Sequence, residues 1–96
     1  MDTTGLPGAD LIEQGLRDIG ASRESEAALL VEIGAPRLRR LGLAVPTSFA
    51  HTDATVRPQH RLYALLARSN PSSAHSRYNA LIRTLVSFER AGECVG

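Results

Sequence analysis

The chain has 96 residues, with 43% apolar and 22% charged content and a formal net charge of +1 from 11 arginines, no lysine and 10 acids. A chain this short predicts one domain and excludes doubly wound sheets and α/β barrels. Its composition excludes the disordered, collagen-like and disulfide-stapled classes. The longest apolar run, Ala27–Val31, is far below bilayer length, so no membrane partner is expected. The Met1-Asp2-Thr3-Thr4 start has no basic or apolar leader, and lone Cys94 has no second cysteine to pair with. The expected location is therefore cytoplasmic.

Charge is placed unevenly. Residues 1–34 hold seven acids against Arg17 and Arg23, a net −5, and residues 35–96 hold nine arginines against three acids, a net +6. Such polarity marks a surface for a charged partner. The alternative is self-complementarity, with an acidic first part packed on a basic remainder.

Helical spacing recurs along the chain and no stretch alternates as a strand does. The expected fold is all-α: a single small domain of four to five helices. An acidic helical hairpin occupies 1–34 and a two-helix basic core 57–92. Leu11, Ile12, Leu16 and Ile19 predict a first helix over 9–19, with Pro7 before it and Gly20 at its end. Gly15 inside it costs roughly 1 kcal/mol relative to Ala, so this helix must dock on a neighbour. Ser22 is placed to cap a second helix reaching Ile33, with Glu24 and Glu26 near its positive end and Leu29, Leu30 and Ile33 on its apolar side.

Gly34 reads as a left-handed stop and Pro36 as the first residue of a short third helix to Leu41, ended by Gly42. Residues 43–56 read as an irregular loop, pinned to the core by Leu43, Val45, Phe49 and Val56. Pro58–Ser69 reads as a helix with Leu62, Leu65 and Leu66 on one side and Arg57, Arg61 and Arg68 on the other. Asn70 and Pro71 read as the N-cap and first residue of a last helix to about Ala91. Its Tyr78, Leu81, Ile82, Leu85 and Val86 follow a core-facing series.

Few chemistries find their residues here. Gly15 and Gly20 have the spacing of a phosphate loop, but Ala21-Ser22 stand where it needs a lysine. His51, Asp53, His60 and His75 have no paired spacing, so no metal or other cofactor is expected. Ser72, Ser73 and Ser76 beside His75 fall on the first turns of a helix, where serines cap rather than attack. No catalytic residues are therefore expected.

Two pairings suggest nucleic acid. Arg68 and His75, with six residues between them, resemble the Arg-x4–6-His signature of HEPN nucleases, though Ser69 stands where that family carries an amide or acid. That resemblance implies RNA cleavage, with the guanidinium on phosphate and the imidazole moving protons. Gly34-Ala35-Pro36 followed by Arg37, Arg39 and Arg40 resembles a helix-turn-helix. It implies DNA binding; separately, the Arg57, Arg61 and Arg68 stripe is expected to touch phosphates without sequence preference.

Protein binding accommodates the most features. A small core often gains stability from association, with a partner or as a homo-oligomer. An acidic helix with one apolar stripe suits a partner's groove. The stretch Ser73-Ala74-His75-Ser76-Arg77-Tyr78-Asn79-Ala80-Leu81-Ile82-Arg83, then Phe88-Glu89-Arg90-Ala91, resembles small helical bacterial proteins encoded beside toxins. The likeness is to partners of nucleotidyltransferase-like toxins, with Gly34-Ala35-Pro36-Arg37-Leu38 as lesser support. It implies an antitoxin, a non-catalytic chain that neutralises a toxin-like protein encoded nearby. On that resemblance Asp10, Glu13 and Asp18, with Leu11, Ile12 and Leu16, form the partner-binding edge and fill the toxin's basic cleft.

Overall fold

A computed structural model describes residues 5–45 and 57–95. Among them the chain forms four helices, α1 (Ala9–Gly20), α2 (Glu26–Arg40), α3 (Pro58–Ser69) and α4 (Ala74–Val95), and no strand. α2 is central and packs on α1, α3 and α4, while α3 also packs on α4. The core joins Ile12 and Ile19 of α1, Leu29, Leu30 and Leu38 of α2, Leu62 and Leu66 of α3, and Leu85 and Phe88 of α4. No described helix is long and apolar enough to cross a membrane.

α1 ends later than its apolar spacing predicts, and its ending relocates a cap. Ser22 holds the left-handed position at φ 59°. Its N–H donates to the Ile19 carbonyl at 3.0 Å, and the Arg23 N–H to the Asp18 carbonyl at 2.7 Å, which is a Schellman closure built on serine instead of glycine. Ser22 therefore does not cap α2. Ser25 does: its hydroxyl accepts from the Ala28 N–H at 3.1 Å. Glu24 consequently lies outside the helix that it was expected to open.

The expected break at Gly34-Ala35-Pro36 is absent. Ala27, Val31, Gly34, Ala35 and Leu38 are all buried at spacings that continue one helical stripe through Pro36. Proline inside a helix forfeits a hydrogen bond and costs ~3 kcal/mol. Burial of that stripe on both sides of Pro36 offsets it. The separate helix from Pro36 to Leu41 thus belongs to α2. Gly42 does end it, at φ 99°, where the Leu43 N–H donates to the Leu38 carbonyl at 3.1 Å.

Two glycines permit the close crossings. A Cβ on Gly15 would collide with the Ala27 carbonyl and with Val31 across the α1–α2 contact. One on Gly34 would come within 2.8 Å of Leu85 Cδ1 at the α2–α4 contact. Leu43 and Val45 pack against the core; Phe49 and Val56 lie outside the described residues. α3 has its expected bounds. Asn70 is its C-cap instead of the N-cap of α4, and Pro71 lies in an intervening turn. There the Ser73 N–H donates to the Asn70 carbonyl at 3.2 Å.

Candidate interaction surfaces

The acids of the first third are largely taken up inside the fold. Glu24 pairs with Arg61 of α3, Glu32 lies 3.9 Å from the same guanidinium, and Glu26 pairs with Arg77 of α4 at 2.7 Å. The acidic hairpin therefore packs against the basic remainder, the self-complementary alternative. Glu32 Oε2 is buried and accepts no hydrogen bond. Burial pushes its carboxyl above the usual range, against the pull of Arg61. Glu89 is likewise buried and raised, with Arg37 3.6 Å away.

Asp18 is not on a partner-facing edge. It is buried, accepting from Ser25 Oγ at 2.6 Å and Gln14 Nε2 at 2.9 Å, with Arg23 Nη2 at 3.3 Å. The Ser25 hydrogen bond, helped by Gln14 and Arg23, holds its carboxyl below the ordinary value despite burial. Ile12 is also removed from the edge, fully buried in the core. Asp10 and Glu13 are exposed, and Leu11 and Leu16 are half-buried on the flank of the core. At the start of α1, Gly5, Leu6, Gly8, Ala9 and Asp10 line a shallow open depression of about 300 Å³.

The arginines sort differently from their sequence pattern. Arg37 pairs with Glu89 and Glu93 across the α2–α4 contact, and Arg39 donates to the Val45 carbonyl at 3.3 Å. With α2 continuous, Arg37, Arg39 and Arg40 form its last turn instead of a recognition helix after a turn. Arg57 and Arg68 are exposed, but Arg61 between them is turned onto Glu24 and Glu32 and is only 13% exposed. The predicted three-arginine stripe therefore reduces to its two ends. Arg68 and His75 are both exposed at the α3–α4 corner, where His75 Nε2 contacts Asn79 Nδ2 at 3.2 Å. Among the described residues no three His, Cys, Asp or Glu side chains converge as metal ligands. His51 and Asp53 lie outside those residues.

Tyr63 was not anticipated from the sequence. It is the exposed large apolar side chain among the described residues, 41% open, with its ring tilted 58° on Tyr78 at 5.8 Å. Comparison with known protein families, with curated proteins and with solved structures finds no match.

Proposed function

We propose that this chain is a non-catalytic interaction module, antitoxin-like, that neutralises a partner enzyme by direct contact in the cytoplasm. The observation that carries this reading is the exposed edge of α1. Asp10 and Glu13 stay at the surface beside half-buried Leu11 and Leu16, while Asp18 is buried and so is most of the Glu32 side chain. An acid-and-leucine edge on a helix docked through one side suits a partner whose cleft is basic. The partner-binding set is accordingly Asp10, Glu13, Leu11 and Leu16.

Co-expression with the product of the adjacent gene tests this. Rescue of growth arrest and co-purification are expected for the wild type, with weakened binding for Asp10→Asn/Glu13→Gln at low salt. No rescue, or binding unchanged by that double substitution, would overturn the proposal.

A further inference from the structure

We propose that the outer face of the α3–α4 hairpin binds single-stranded nucleic acid through Arg57, Arg68, Arg83 and Arg90 with Tyr63 as a stacking platform. From Ala54 to Phe88 the chain contains no aspartate or glutamate, yet it holds five arginines. Two of them, Arg61 and Arg77, are neutralised from outside the hairpin by Glu24, Glu26 and Glu32. Packing thus delivers carboxylates to the side of the hairpin that meets α2. Arg57, Arg68 and Arg83 remain exposed, and none of them forms an ion pair with another described residue. Arg90, two turns beyond Arg83 on α4, is exposed as well.

On α3 the exposed residues Arg57, His60, Ala64 and Arg68 recur at i, i+3, i+7 and i+11. At 1.5 Å per residue they make a stripe of roughly 16 Å, and none of the four is acidic. Tyr63 lies on the same helix with its ring braced by Tyr78. Sequence-tolerant single-strand binders combine a cationic track with an exposed aromatic ring: guanidinium groups follow phosphates while bases stack on the ring. An acidic protein would answer the arginines, but the braced ring favours a ligand with flat bases. This face shares no residue with the α1 edge, so it stands or falls independently of the antitoxin-like reading.

Fluorescence anisotropy of a labelled 12-nucleotide poly(dT), titrated with the full chain at 50 and 200 mM NaCl, tests the proposal. The wild type should bind, and weaken as salt rises. Arg57→Gln/Arg68→Gln should flatten the slope of log K against log salt by about 1.4, near 0.7 for each phosphate left without its guanidinium. Arg83→Gln/Arg90→Gln, on the other helix, should flatten it similarly. Tyr63→Ala should weaken binding roughly 5- to 150-fold at both salts with its slope unchanged. These side chains are exposed, and circular dichroism confirms the fold of each variant. Three outcomes would overturn the proposal: no binding at 50 mM salt, variants that bind as the wild type does, or poly-glutamate competing as well as unlabelled poly(dT). The last would make this an acidic-protein surface.

Discussion

Asp18 and Ser25 lock the end of one helix to the start of the next. The Ser25 hydroxyl donates to Asp18 Oδ2 at 2.6 Å while accepting from the Ala28 N–H at 3.1 Å, so one side chain closes α1 and opens α2. A buried carboxylate is tolerable there because donors satisfy it.

Removing that hydroxyl should be felt on both sides. Ser25→Ala is expected to destabilise by about 1–2 kcal/mol, through loss of the cap and of a hydrogen bond to a charged group. Ser22, by contrast, holds a left-handed backbone that glycine adopts more easily. Ser22→Gly should therefore stabilise by roughly 0.5–1 kcal/mol. Urea unfolding of both variants checks the pair, and opposite signs are required.

Gly15 and Gly20 sit five residues apart on α1 and should respond oppositely to alanine. A methyl at Gly15 meets the α2 backbone at Ala27, where nothing can rotate away. Gly15→Ala should cost about 1–3 kcal/mol even though alanine favours the helix. Gly20 has nothing within 4 Å and no left-handed φ, so Gly20→Ala should be neutral or stabilising by up to about 1 kcal/mol. Thermal melts of the two variants decide it.

Ion pairs should matter according to burial. Arg61→Ala leaves Glu32, whose side chain is 9% exposed, without its cation and should cost about 2–3 kcal/mol. Adding Glu32→Gln should recover part of that loss. Arg77→Ala breaks a pair whose side chains are 42% and 35% exposed and should cost less than about 1 kcal/mol. A double-mutant cycle in urea measures the coupling.

Stability should depend on pH through groups of opposite sense. Asp18 lies below its ordinary value of 3.8, so its contribution is complete above pH 3.8 and is lost as pH falls through the lower folded value. Burial places Glu32 and Glu89 above 4.5, so theirs is complete below pH 4.5 and is lost as pH rises through the folded values. Stability is expected to be highest in mild acid and to decline toward neutrality. Glu32→Gln should flatten that decline, and Asp18→Asn should remove the loss on the acid side. Unfolding curves from pH 3 to 7 separate the two.

Much of the architecture was readable as a string of letters. The apolar spacing of α1, α3 and α4, the proline that opens α3 and the glycine that ends α2 act over one or two turns, and local forces determine them. The carboxylate-free run from Ala54 to Phe88 is equally visible there, though its importance is not. Three-dimensional packing settled the rest. Gly34 and Pro36 look like punctuation until α4 covers the glycine and the burial of Gly34, Ala35 and Leu38 around the exposed proline outweighs its cost. Arg57, Arg61 and Arg68 look alike until Glu24 and Glu32 come to rest beside only one of them. Asp10 and Asp18 were equal candidates until Ser25 closed on the second. A helix's period belongs to its own residues, whereas burial and charge pairing depend on neighbours far away in the chain.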